Sequence, residues 1–356
     1  MQCNSFICNL FGGIYTMKRT FGIHTQQALL AMVRAGLWEQ ETDLMAYGTF
    51  NFKEICRLAQ EQSVIGLVTA GLEHLTDVKF PQKLALQAVG TTLRIEQRNN
   101  EMNRFIETAV KKLKADGIDA LLLKGQGVAQ CYERPMWRPS GDIDFLLDEE
   151  NYKKAISLML PLANSSKAGV NQEYAIYTDK WVIELHGSMR TGLSARLDKE
   201  IDAVQADIFA SKRHRVWRNG ETDVLLPAPD DDVFLVFTHF IKHFYKEGMN
   251  LRQVCDWCRL LWTYRSEIDA ALLEERLRRA GLMSEWKTFA ALAVDYLDMP
   301  SEAMPLYHEA SQWHRKATNT LDLIVAGRYN TALRNAYTIA KIFPKNIMRI
   351  LPKIFI

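Results

Sequence analysis

The sequence predicts an α+β protein: a small α/β module over residues 115–227, set between a helical region at 17–114 and another at 228–356. Three observations carry this reading. Apolar residues recur at helical spacing before Asp116 and again from Asp230 almost to the end. Between them the pattern changes to short strand-like runs bounded by Gly, Pro and Asn. A length of 356 residues also suits two domains, or one domain with a large extension.

The elements follow in order. Residues 25–38, "TQQALLAMVRAGLW", have helical spacing with Thr25 as the expected cap. Residues 52–76 continue in helical style, and 81–116 form one long amphipathic pattern, read as one helix or two. Gly117 stops it, and "IDALLL" is a short buried strand. Then come a strand at 142–147, a helix at 149–162, and a hairpin of 172–177 with 181–187. A second strand pair, 214–218 and 221–226, turns at "RNGE".

Composition narrows the class. Charged residues are 24% and hydrophobic residues 48%, as in a folded soluble chain, so a cytoplasmic protein is expected. A net charge of +2 supplies no global attraction to nucleic acid, and no long basic aromatic stripe exists, so a nucleic-acid partner is not expected. The cysteines are scattered through a long chain, which argues for reduced thiols rather than a disulfide framework. The first residues lack a signal peptide's basic start and apolar core, and Met17 opens a second plausible start. Residues 1–16 are therefore expected to be a loose tail or a mis-assigned start.

The chemistry begins at "RPSGDIDFLL", residues 138–147. Asp is a poor strand residue, yet Asp142 and Asp144 open a run that buries Phe145, Leu146 and Leu147. Strand residues two apart share a face, about 6–7 Å from each other, so the carboxylates are presented together. Close carboxylates repel unless a cation or proton intervenes, and Mg²⁺ prefers hard oxygen ligands of this kind, with Mn²⁺ as a substitute. In "KWVIELHGS" a strand would put Glu184 and His186 on one face, with Trp181, Ile183 and Leu185 on the other. Glu184 is then a third acid in an apolar strand. Upstream, "LLLKGQGVAQCY" reads as strand, glycine turn and short helix, with Gly125 and Gly127 freeing the backbone near Lys124.

The order strand–KGQG–helix–GDIDFLL–helix–strand–IELHG resembles the nucleotidyltransferase fold of the DNA polymerase β superfamily. Within it the chain is most similar to a family of uncharacterised bacterial nucleotidyltransferases. The features are "LLLKGQG" at 121–127, "RPSGDIDFLL" at 138–147, "IELHG" at 183–187, and "LRQVCDW" on the later helix. The resemblance implies a small mixed-sheet module that moves a nucleoside monophosphate from a triphosphate, such as ATP, to an acceptor hydroxyl. In that family's terms Asp142, Asp144 and Glu184 hold the metal and do the catalysis. Lys124, Gly125, Gln126, Gly127, Arg138 and Gly141 bind the nucleotide, and His186 is an acceptor-side contact. The superfamily's first motif is usually Gly-Gly or Gly-Ser, whereas this chain has Lys124-Gly125-Gln126, which leaves the donor nucleotide open. The acceptor, a small molecule or a protein, and the oligomeric state are not named by the sequence.

A non-catalytic nucleotide-binding or partner-binding protein that keeps the fold is the alternative from another class. Phosphatases and glycosyltransferases that use an Asp-x-Asp pair place it where a strand ends, whereas here it opens the strand. His239 and His243, with Cys255 and Cys258, have zinc-like spacings, but packing between two helices is the preferred reading. Asp256 and Arg252 form a buried pair or face the nucleotide. The basic segment 332–356 suits an anionic membrane or a partner, docking onto the domain being the commoner outcome.

Overall fold

The computed structural model describes residues 5–325 and 339–344, with side chains from Gly22 onward. The chain divides into two units, 1–94 and 95–356.

The first unit is helical. It contains α1 (Ser5–Trp38), α2 (Phe52–Glu61), α3 (Ile65–Gly71) and the start of α4 (Gln82–Ala115). Thr25 lies inside α1 rather than at its start, and its hydroxyl accepts the Asn51 N–H at 3.3 Å. Asn51 is the cap that the chain uses here, taking the N–H groups of Lys53 and Glu54 at the head of α2. The tail expected over 1–16 has residues 1–4 outside the described residues, and 5–16 enter only as α1 backbone. Helices α1 and α3 cross closely. A Cβ on Gly36 would overlap the Leu67 carbonyl, and one on Gly71 would overlap the Met32 carbonyl.

In the second unit α4 is a single helix, closed by Gly117 at φ +69°. The strands are β1 (Leu121–Leu123), β2 (Asp142–Leu146), β3 (Ser165–Ala168), β4 (Glu173–Tyr177), β5 (Val182–His186), β6 (His214–Asn219) and β7 (Thr222–Pro227). They form one mixed sheet in the order β3-β4-β5-β2-β1-β7-β6. β2 runs parallel to β5 and β1 parallel to β7, while the other neighbours are antiparallel. Between the strands lie α5 (Gly125–Ala129), α6 (Glu149–Met159) and α7 (Ala195–Ser211). The helix expected to reach 162 stops at Met159 and becomes a tight turn over Leu160–Leu162, because Pro161 has no N–H to continue it.

Alternation explains why acids begin an apolar strand. Ile143, Phe145 and Leu147 point to one face of the sheet, together with Ile183 and Leu185 of β5. There they pack against Met102, Ile106 and Val110 of α4 and Met159 of α6. Asp142, Asp144, Glu184 and His186 take the opposite face.

That face meets the C-terminal helices. They are α8 (Pro229–Lys246), α9 (Leu251–Thr263), α10 (Ala270–Ala280), α11 (Met283–Leu297) and α12 (Ser311–Val325). Their core is aromatic: Phe237 lies 4.7 Å from Trp286, and Trp257 packs edge-on to Trp286 at the same distance. The acidic first turn of α8 complements its dipole and anchors it, with Asp231 on Arg276 and Asp232 on Arg215. The segment proposed for a membrane surface falls outside the described residues except at 339–344, where Ile339, Ile342 and Phe343 are buried. Among the described residues no helix is long and apolar enough to cross a membrane.

Candidate active site

The site starts from register. β2 and β5 pair in parallel with Asp144 opposite Glu184, so their carboxylates stand side by side on one face. His186, two residues beyond Glu184, brings its Nε2 to 2.9 Å from Asp144 Oδ1 and 3.5 Å from Glu184 Oε2. Lys124 reaches the same Asp144 oxygen, with its Nζ at 2.9 Å. It does so from the β1–α5 junction, where its backbone has φ +52°, a region non-glycine residues rarely adopt. Strain of that sort costs on the order of 1–3 kcal/mol and persists where the surroundings enforce it.

Asp144 therefore has two nitrogen partners, Lys124 and His186, on one oxygen. Burial alone would raise its pKa, but the Lys124 charge and the His186 hydrogen bond outweigh it and hold the carboxyl far below its usual range. Burial would lower the Lys124 and His186 pKa values, and the acids reverse that direction, so both are raised. Glu184 behaves differently. Its His186 hydrogen bond lowers its pKa, yet burial and the charges of Asp144 and Asp142 prevail and raise it. Three acids thus share one field. Among the described residues, Asp144, Glu184 and His186 form a group that could hold a metal, their ligand atoms within 4.8 Å of one another.

In front of Asp142 and Asp144 lies a cavity of about 210 Å³. Lys124, Gly125, Arg138 and Gly141 contribute to its near wall, and α8 and α9 close the far side through His239, His243 and Arg252. Asp142 is exposed at the strand start and borders this cavity, whereas Glu184 and His186 lie outside its lining. The expected acid set is thus brought to one sheet face, with His186 hydrogen-bonded to Asp144.

Gln126 and Gly127, both expected to contact the nucleotide, are engaged in packing. The Gln126 side chain is buried against α4, its amide donating to Asn99 Oδ1 at 2.9 Å. Gly127 is a packing glycine, since a Cβ there would stand 2.8 Å from Leu226 Cδ2. Gln126 thus pins α5 to the core, and Gly127 lets it lie close to β7. Arg138 does border the cavity, but its donors are engaged. Nε and Nη2 grip the two Asp256 oxygens at 2.8 and 2.7 Å, and Nη1 donates to Ser140 Oγ at 2.6 Å. Asp256 also accepts the Tyr132 hydroxyl at 2.7 Å. The buried pair is therefore Arg138–Asp256, and Arg252 is left facing the cavity.

His239 and His243 do not simply pack between helices. Their Nε2 atoms are 2.9 Å apart, Lys124 Nζ lies 3.3 Å from His239 Nε2, and His243 Nδ1 meets Glu247 at 2.8 Å. Burial and the Lys124 charge hold the His239 pKa well below its ordinary value. Cys255 and Cys258 are buried in α9 with thiol pKa values pushed up by desolvation, and they join no metal-holding group among the described residues. The i, i+4 histidines on α8 were the available signal, but nothing local says that they face β1.

Among curated proteins none matches this chain. A solved structure that it resembles is an antigenic nucleotidyltransferase-like protein from Paracoccidioides brasiliensis, 13% identical with a TM-score of 0.35 over 60% of this chain and 97% of that one. A family model described as uncharacterised nucleotidyltransferase matches residues 48–298, which include both acid-bearing strands and the helices that close the cavity. With more than half of its length in that match, the protein belongs to this nucleotidyltransferase family.

Proposed function

We propose that the protein transfers a nucleoside monophosphate from a nucleoside triphosphate to an acceptor hydroxyl on a small molecule or protein, releasing pyrophosphate with the help of Mg²⁺ or Mn²⁺. The observation that carries this reading is the placement of Asp142, Asp144 and Glu184 on one face of paired strands, with a polar cavity in front. The donor set fits a hard divalent cation: an ionised Asp144, and a Glu184 whose pKa is raised partly by the other two acids. Asp142, Asp144 and Glu184 would hold the ion. When bound, it would neutralise charge on the transferring phosphoryl group and on the departing pyrophosphate.

The chain's own residues do the rest. His186 fixes the Asp144 carboxylate through Oδ1. Lys124 is a half-buried cation beside both Asp144 and the cavity, placed to exchange the carboxylate for a phosphate oxygen. Arg138, locked to Asp256, holds the β2 entry loop around Gly141 in position. No role in this reading needs the Gln126 side chain.

The second reading, a non-catalytic nucleotide-binding protein, is favoured by one observation. Lys124 and His186 already compensate Asp144, so the acids do not require a metal to coexist. Calorimetric titration of the four triphosphates with Mg²⁺, together with a pyrophosphate-release assay, separates the two. Metal-dependent binding that weakens at least about tenfold in Asp142→Asn/Asp144→Asn is expected, as is pyrophosphate release at least about 100-fold slower in that variant. Binding without release under any acceptor would favour the second reading. A wild type that binds no triphosphate would remove both.

A further inference from the structure

Arg252 is the second residue of α9, and it stands in the cavity wall. Its Nη1 donates to the Pro139 carbonyl at 2.5 Å, while its Nε is shut off from solvent with no acceptor. Arg252 is half-buried, and a cation withdrawn from water ordinarily brings a carboxylate with it. Asp256 lies one helical turn away, but its two oxygens are taken by Arg138 and Tyr132. Among the described residues no carboxylate forms an ion pair with Arg252. Burial and the Arg138 charge beside it press the Arg252 pKa down, which is the electrostatic mark of a cation short of a counter-charge.

The opposite wall carries Asp142 and Asp144, so the cavity is bipolar. A bare anion would be repelled by the acids, and a bare divalent ion by the guanidinium. A metal–polyphosphate complex offers the matching charge to each side. Size narrows the ligand further: about 210 Å³ is less than the roughly 300–1,000 Å³ of pockets that enclose a drug-sized molecule. It suits a phosphate chain better than a whole nucleotide.

We propose that the Arg252 guanidinium binds the polyphosphate of a metal–nucleoside triphosphate, opposite the carboxylates, and that the sugar and base remain at the cavity mouth. This rests on the nucleotidyl-transfer reading above and names the residue that recognises the donor's phosphates. It adds α9 to Lys124 at the glycine turn as a source of phosphate recognition. It also makes the donor site weakly selective among bases, since the phosphates supply most of the grip.

The test is calorimetric titration of Mg²⁺–tripolyphosphate, Mg²⁺–ATP and Mg²⁺–GTP into wild type, Arg252→Gln and Arg252→Lys. Wild type should bind tripolyphosphate within about tenfold of either nucleotide. Arg252→Gln should bind all three about 10- to 100-fold more weakly, the loss expected for a charged hydrogen bond. Arg252→Lys, which keeps the charge without the guanidinium, should fall between them, and it carries the comparison if the glutamine variant does not fold. Tripolyphosphate without Mg²⁺ should bind more weakly than its complex. Wild-type affinity in Arg252→Gln would overturn the assignment while leaving the nucleotidyl-transfer reading intact. Binding of Mg²⁺–ATP without binding of Mg²⁺–tripolyphosphate would overturn it in the same way. A wild type that binds none of the three overturns both.

Discussion

Asp256 is the residue on which the cavity wall depends, although it makes no claim on the chemistry. It is buried, holds Arg138 with both oxygens, and takes the Tyr132 hydroxyl as well. Asp256→Asn leaves a buried guanidinium without its charge partner and should cost about 3–5 kcal/mol in urea unfolding near neutral pH. The pH dependence has a definite sign. Burial would raise the Asp256 pKa, but Arg138 outweighs it and lowers the folded-state value. The stabilisation is then complete above the unfolded-chain value of about 4 and is lost as pH falls through the folded value. The gap between wild type and Asp256→Asn should be widest near neutral pH and should close below about pH 4. A gap that stays constant down to pH 3 would show that Asp256 acts through packing instead. Asp142, Asp144 and Glu184 stand out in the sequence because each is an acid inside an apolar strand. His239 and Arg252 do not, since the groups they meet, Lys124 and the Pro139 carbonyl, lie more than a hundred residues earlier. Gln126 shows the converse: a glutamine beside glycines reads as a loop residue, and only the structure shows its side chain buried against Asn99.

At the scale of elements, two glycines in helices make opposite predictions. Gly36 in α1 faces the Leu67 carbonyl, whereas Gly90 in α4 has nothing within 4 Å of where a Cβ would stand. Alanine in a helix gains up to about 1 kcal/mol over glycine through propensity. At Gly90 that gain is unopposed, so Gly90→Ala should stabilise by up to about 1 kcal/mol. At Gly36 the methyl meets backbone, which cannot rotate away, and overpacking of this sort costs about 1–3 kcal/mol or more. Gly36→Ala should therefore destabilise on balance, and thermal melts of the two variants moving in the same direction would contradict this account of the α1–α3 crossing. The long helices and paired strands are readable because their periodicity is strong. Strand β3, "SSKA", is exposed throughout and has no apolar signal to read. Helix α7 does carry one, since Leu197, Ile201, Val204 and Ile208 line its buried side behind a Ser194 cap. The glycines and serines before it make the stretch look like loop.

For the whole molecule, the mixed sheet and the C-terminal helices belong to one unit, and the cavity takes walls from both. Periodicity locates each part without saying that α8 and α9 turn back over β1 and β2. Ligand linkage follows from the site's charges. A ligand at about a hundred times its dissociation constant adds roughly 2.7 kcal/mol of stability, so saturating Mg²⁺–triphosphate should raise the melting midpoint by several degrees. A chelator alone should leave that midpoint where it was, and a large drop would contradict the charge balance found at Asp144. Lys124 is the reason. By reaching Asp144 from within the chain, it supplies a counter-charge that is present as soon as the polypeptide is made. On the proposed reading, folding is thereby uncoupled from metal supply: the chain would fold in a metal-poor environment and take up an ion afterwards.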